Sequence, residues 1–471
     1  MPNAIAYAAL LIWPIVSLIM FRRMPVERAL VWSIVGAYMF LPPIAEFDLP
    51  LVPDFDKFSI PNLTAAFIIY VILKHPMELV PNTLIGRILI AGFLASVVPT
   101  VLNNGEPILL ERNSLPGLRL IDVLSVLSTQ LIVILPFLLA RQFLATEQAL
   151  RELLKCLMVA GLIYSIPALI EIRMSPQLNI QIYGFFQHSF AQMMRDGGFR
   201  PIVFMPHALW LSLFFMCATA SAAALSRGLP REERGRFILA SAYLFVVLYL
   251  TKSLASFAYA LALLPLIYAA NARMLLRVSL GFAAVAVIYP MLRNFELVPL
   301  EWILDQAYSF NATRGASLEY RFDNEELLLE RAAEKTWFGW GVWGRNLLHD
   351  FDTGQIITVP DGRWIITFGK FGWVGYISEM ALLALPIFLL MHYNKGDRVG
   401  IVAATAALLL AITMVDMLIN DTLVPFTWLI AGAILGRAEA LAKTPRAAVQ
   451  RPFPEGPAIG RDRPDRRRSI M

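Results

Sequence analysis

The sequence predicts an all-α polytopic membrane protein, and two observations carry that prediction. Of the 471 residues, 58% are hydrophobic and only 16% are charged. A soluble domain carries roughly a quarter charged residues, and a soluble fold with so few would leave its apolar content uncovered. The apolar residues also gather in repeated runs of about 20, the length at which a helix crosses a bilayer. Only helices and closed barrels satisfy the backbone in lipid, and these runs are too long and continuous for barrel strands.

Reading the apolar runs between charged breaks gives about 13 transmembrane helices (12–14). They lie near 3–21, 29–43, 59–74, 84–102, 118–140, 152–172, 201–225, 237–251, 253–270, 278–292, 366–392, 399–419 and 422–441. The first is long, lacks a basic flank before it and has arginines after it, so it reads as a span and not a cleaved signal. Lys and Arg orient the set. One series of short loops carries sixteen, from Arg22 and Arg23 to Lys395 and Arg398, and the alternate series carries seven. The richer series is placed in the cytoplasm. The N-terminus is then outside and the C-terminus cytoplasmic.

Four segments follow: helices 1–10 over 1–292, a loop subdomain on the outer side over 293–365, helices 11–13 over 366–441, and a tail over 442–471. The net charge of +5 belongs to the tail, whose eight Lys/Arg face three Asp/Glu, while the rest is neutral. The basic excess is therefore no nucleic-acid groove. A tail so rich in Pro and Arg is expected to be disordered and to lie on the anionic leaflet. Cys156 and Cys217 fall inside apolar runs without metal-ligand spacing and read as buried hydrophobes.

The loop between helices 10 and 11 differs in kind from the others. It holds twelve Asp/Glu, seven Lys/Arg and five tryptophans, and long ordered loops are usually functional. Within it, 317–336 reads as a helix with Leu318, Phe322, Leu329 and Ala333 on its apolar face and Arg321 one turn from Glu325, close enough to pair. The helix should stop at the glycine-rich FGWGVWG of 338–344. No GxxxxGK[ST] occurs, and the short cytoplasmic loops leave no room for a nucleotide-binding domain. Energy for any chemistry must already reside in the substrate.

Charges at a membrane rim are expensive unless paired, and so are functional candidates. They are Asp122, Arg173, Arg200, Lys252, Glu379, Asp416 and Asp421, with Arg321, Arg345, Asp361 and Arg363 from the loop. Arg200 sits in DGGFRPIVFMPH, where two glycines and a proline allow a tight turn. Its planar fork suits phosphate oxygens. Lys252 lies in a very short turn between two spans. Asp361 is part of a turn-like Asp-Gly, and His207 follows a proline at a helix start, where a structural hydrogen bond competes with a catalytic role. Trp340, Trp343 and Trp364 are candidates either to stack on sugar rings or to form an interfacial belt.

The arrangement resembles the O-antigen ligase and O-antigen polymerase superfamily of bacterial membrane glycosyltransferases. The resemblance rests on GFRPIVFMPHALWLSLFF (198–215), LTKSLASFAYALALLPLIY (250–268), and Arg321 followed by a helix, WFGWGVWGRN and DGRWIITFGKFGWVGY. These motifs cover about a fifth of the chain. The resemblance implies a GT-C-like architecture in the bacterial inner membrane, with the N-terminus and the 293–365 subdomain periplasmic, and a donor in which an oligosaccharide is linked to undecaprenyl diphosphate. By motif position, Arg200 and Arg321 would bind the diphosphate, helped by Lys252 or Arg345. Lys252 is one position displaced from a family arginine and lacks its fork. Ligases of the family carry His-Asn where this chain has Asp361-Gly362, which moves the base to Asp361, with Glu325 the less favoured carboxylate. Sugar contacts fall to Trp340, Trp343, Trp364, Arg363 and His207.

The expected reaction is polymerisation of lipid-linked repeat units onto a growing glycan, O-antigen or exopolysaccharide, with inversion and no metal or other cofactor. A chain-length regulator and a flippase are the implied membrane partners, and no nucleic acid is. The alternatives are a ligase that moves glycan to a lipid or protein, a transporter of lipid-linked oligosaccharide, which would carry its charges near the midplane and show inverted repeats, and a non-catalytic scaffold.

Overall fold

In the computed structural model, residues 1–48, 53–195 and 197–443 are described. The predicted tail lies outside these residues apart from its first two positions. The described chain is mostly helical. In order, the helices are α1 (Ala4–Arg23), α2 (Val26–Phe40), α3 (Ser59–Phe67), α4 (Leu84–Ala95), α5 (Val97–Leu102), α6 (Leu120–Phe143), α7 (Glu147–Met174), α8 (Leu178–Tyr183) and α9 (Ala208–Arg227). They continue as α10 (Arg231–Leu250), α11 (Leu254–Ala269), α12 (Ala272–Asn294), α13 (Leu300–Phe310), α14 (Ala312–Ala333), α15 (Arg363–Tyr393), α16 (Ile401–Asp416) and α17 (Pro425–Lys443). Each predicted apolar run contains a helix, though not over its whole length. Among the described residues, seven helical stretches are long and apolar enough to cross a membrane: α1, α4 with α5, α6, α7, α9, α12 and α15.

The centre of the bundle is α9, packed against α7, α10, α11 and α16. Its sequence, ALWLSLFFMCATASAAALSR, is apolar all round, as a helix surrounded by others must be. Its hydroxyls do not leave polar orphans in that core: Ser212, Thr219 and Ser221 donate to the carbonyls of Ala208, Phe215 and Cys217, the back-bonding open to short hydroxyl residues in helices. Cys156 and Cys217 are buried and unbridged. At the periphery, α1 exposes Ile5, Leu11, Ile12, Ile15 and Ile19, a surface suited to lipid.

Close helix contacts follow small residues. A Cβ at Gly432 would lie 2.1 Å from the Phe137 carbonyl oxygen, and one at Gly436 2.2 Å from that of Arg141. The GAILG of 432–436 thus lets α17 meet α6 backbone to backbone, the small-xxx-small contact of membrane helices.

Three sequence expectations are corrected. The span expected over 201–225 begins only at Ala208, because Pro201 and Pro206 keep the preceding segment out of helix. The loop helix starts at Ala312, capped by Asn311, whose side chain accepts the N–H of Arg314. Its buried face holds Phe322, Asn324, Glu325, Leu328 and Ala332, turned by about one residue from the expected one. Leu328 and Ala332 join the core of the bundle, so this part of the loop is built into the membrane body.

Helix α15 is broken. Gly372 has φ 61° and ψ −162°, a conformation essentially reserved for glycine. The break frees backbone groups, and residues 336–341 satisfy them. Trp340 and Gly341 donate N–H to the carbonyls of Gly369 and Lys370 at 2.8 and 2.9 Å, while Trp373 donates to Thr336 at 2.9 Å. The two glycine-rich motifs of the loop therefore dock on each other as one backbone splint.

Candidate functional site

Arg200 stands at the end of a short ribbon, β1 (Met194–Arg195) paired with β2 (Gly198–Phe199). Its N–H donates to Met193 O at 2.7 Å, and its side chain is buried. The irregular segment that follows is fixed by polar groups from several elements. The Glu171 carboxylate accepts the N–H groups of Ile202 and Val203, both at 2.8 Å. The Tyr164 hydroxyl accepts the N–H of Phe204 at 3.0 Å. Lys57 Nζ donates to Phe204 O at 2.7 Å, and Gln187 Nε2 donates to Val203 O and Met205 O. Burial pushes the Lys57 ammonium down to about 7, partly opposed by Asp56.

His207 ends this segment and caps α9, its Nδ1 accepting the N–H of Leu209 at 3.0 Å. Its ring meets that of His188 edge-on at 4.4 Å. Burial first, then His188, Arg200 and Arg321, hold its pKa at about 3, so the ring is neutral. Burial and Arg200 also lower His188. Arg200 and Arg321, 121 positions apart in the chain, therefore both act on His207.

Arg321, on α14, faces the turn between α16 and α17. Its Nη1 donates to Ile419 O at 2.7 Å and to Asn420 Oδ1 at 2.9 Å. Asn420 is held in turn by buried Asp416, which also accepts from Thr422. Arg321 Nε lies 3.6 Å from Asp361 Oδ2. Burial raises the Asp361 carboxyl above its ordinary 3.8, and Arg321 draws it back.

The expected Arg321–Glu325 pair is not formed. Glu325 points to α12 instead, where its Oε1 accepts from Arg293 Nε at 3.0 Å and Tyr289 Oη at 3.1 Å. Helical spacing permits the pair, but the two side chains are claimed by different neighbours. Burial raises the Glu325 carboxyl, and Arg293 opposes the shift.

The other expected residues are spread around this end of the bundle. Lys252 Nζ donates to Arg195 O at 2.7 Å, which braces the ribbon before Arg200. Arg345 is buried and donates to the carbonyls of Pro116 and Glu106; its geometry is that of a clamp on the 106–116 loop. Trp364 is fully buried, edge-on to Tyr289, so it offers no face to a sugar. Trp340 has the Arg331 guanidinium 3.3 Å from its ring centroid, which covers that face. Trp343 is 57% exposed.

Arg363 opens α15 and makes a bidentate pair with buried Glu379, Nε–Oε1 at 2.8 Å and Nη2–Oε2 at 2.6 Å, and it approaches Asp421 at 3.5 Å. It also lines a cavity of about 680 Å³ between α6, α15 and the segment around Asp48, with Trp343 in the wall. A second chamber of about 290 Å³ shares Pro53, Asp54, Thr129, Val133 and Arg363 with it. The 361–363 segment thus has Arg321 on one side and this cleft on the other.

Sequence reasoning did not single out Glu171, Lys57, Asn420 or Gln130. The one signal for each was a polar residue inside or beside an apolar run, too common to rank without contacts. No protein-family model matches the chain, and no curated protein matches it.

Proposed function

We propose that this chain is a membrane glycosyltransferase that joins oligosaccharides carried on a polyprenyl diphosphate, in the manner of the O-antigen polymerases its motifs resemble. In this reading the thirteen apolar helices all span the bacterial inner membrane, and the end bearing 295–362 faces the periplasm. The observation that carries the reading is the convergence of Arg200, Arg321 and Asp361. Both arginines act on His207, and a carboxylate of raised proton affinity lies 3.6 Å from one of them.

The chemistry follows from that grouping. Arg200 and Arg321 neutralise charge that develops on the departing diphosphate. Asp361 takes the proton from a hydroxyl of the acceptor glycan. The bond from the anomeric carbon to the phosphate oxygen breaks as the bond to the acceptor oxygen forms, with inversion. The Arg321–Asp361 pair couples binding to reaction: a diphosphate that engages Arg321 withdraws it from Asp361, and the carboxylate becomes a stronger base when the donor arrives.

The test is reconstitution of the full chain in proteoliposomes with a lipid-linked repeat unit. The expected product is a ladder of polymer lengths, lost in Arg200→Ala and Arg321→Ala. A single added block would make the protein a ligase. Wild-type polymerisation by both variants would overturn the mechanism.

A further inference from the structure

We infer that the cleft between α6 and the first half of α15 is a saccharide-binding site that selects glycans without carboxylate groups, neutral or amino-bearing. The inference rests on the glycan-transfer reading and adds to it the class of glycan the protein accepts.

Three features of the cleft point the same way. The first is an unmet acceptor. Gln130 is 7% exposed, its side chain lines the cavity, and its Oε1 has no hydrogen-bond partner among the described residues. A buried amide oxygen left without a donor costs about 1–3 kcal/mol, and a sugar hydroxyl or ammonium supplies that donor. One and five residues earlier, the hydroxyl-bearing Thr129 and Ser125 line the same wall of α6. The second is an aromatic platform. Trp343 lines the wall, is more than half exposed, and is held at φ 58°. A bulky residue persists at such an angle only where the surroundings impose it, and here the backbone splint fixes the adjoining Trp340 and Gly341.

The third feature is charge. Five carboxylates line the cavity, Glu46, Asp48, Asp54, Asp122 and Glu379, against two cations, Arg363 and Lys370. Glu379 and Arg363 neutralise each other in their bidentate pair, which leaves four carboxylates facing one ammonium. Burial and mutual repulsion raise Glu46 and Asp54 above their ordinary values. A diphosphate or a uronate entering this space meets like charge, whereas a hydroxyl-rich ring or an ammonium meets acceptors. The chamber volume, about 680 Å³, lies within the range of ligand pockets. The anionic donor group and the glycan are thereby assigned to opposite sides of the 361–363 segment.

The test uses the full chain in nanodiscs and three oligosaccharides of equal length: an N-acetylglucosamine oligomer, its deacetylated cationic form, and an oligogalacturonate. Binding is read by titration calorimetry. The neutral and cationic oligomers should bind at least tenfold more tightly than the anionic one. Gln130→Leu and Trp343→Ala should each weaken them about tenfold, and Glu46→Gln with Asp54→Asn should narrow the preference against the uronate. Thermal melting of each variant separates lost binding from lost fold. Equal binding of all three, binding of none, or unchanged affinity in both Gln130→Leu and Trp343→Ala overturns the proposal. Polymer synthesis is scored separately. Selective binding without polymerisation removes the transferase reading and keeps the site; polymerisation without selective binding does the reverse.

Discussion

Asp361 and Arg321 set the pH behaviour expected of the reaction. A base works only when ionised, so the rate should fall as pH drops through the Asp361 pKa, which burial holds above 3.8. Arg321 favours the carboxylate form, so Arg321→Gln should move the residual acid limb to higher pH. A pH–rate profile checks this, and an unmoved limb would uncouple the two residues. Arg363 and Glu379 make a different prediction. Removing one partner of a largely buried ion pair typically costs about 3–5 kcal/mol, so Glu379→Gln should destabilise the protein by roughly that amount in a detergent melt, less whatever Asp421 recovers. His207 is neutral and serves as a helix cap. His207→Ala should cost about 1 kcal/mol of stability, while His207→Asn, which keeps a capping acceptor, should restore most of it.

Helix α15 and its splint place the next prediction at the level of elements. A Cβ at Gly372 would sit 2.2 Å from the Trp337 carbonyl carbon, and one at Gly339 2.5 Å from that of Lys370. Both glycines also have positive φ. Gly372→Ala and Gly339→Ala should each cost about 3 kcal/mol or more, combining strain with the clash of backbones. Gly281 on α12 has nothing within 4 Å of such a Cβ, so Gly281→Ala should be neutral or stabilising by about 0.5–1 kcal/mol. Melting curves of the three variants separate close approach from glycine content. Among the loop elements, α13 buries none of its residues and exposes Trp302 and Phe310, the pattern of a helix lying at a membrane interface.

For the whole molecule, orientation is open to direct labelling. Cys156 and Cys217 are buried, so an impermeant maleimide should leave the native chain unmarked. Asp352→Cys should label from the periplasmic side and Glu232→Cys only after the membrane is opened; the reverse pattern would invert the topology. The helices were legible in the sequence because hydropathy is a local property of each run. The partners of the charges were not. Spacing offered Glu325 to Arg321, yet folding gave Arg321 to Asp361 and the Asn420 turn, nearly 100 residues on. The prolines at 201 and 206 were visible, but their consequence, a helix that starts at Ala208, depended on Glu171, Tyr164, Lys57 and Gln187 arriving from elsewhere to hold the irregular backbone. The splint also bears on how the chain is made. Gly372 lies roughly 13 Å along α15 from its start, at a depth where unmet peptide groups are costly. The segment that satisfies them, 336–341, precedes it in the chain and leaves the ribosome first. During synthesis the patch is made before the flaw it covers, so α15 can enter the bilayer with its partner already in existence.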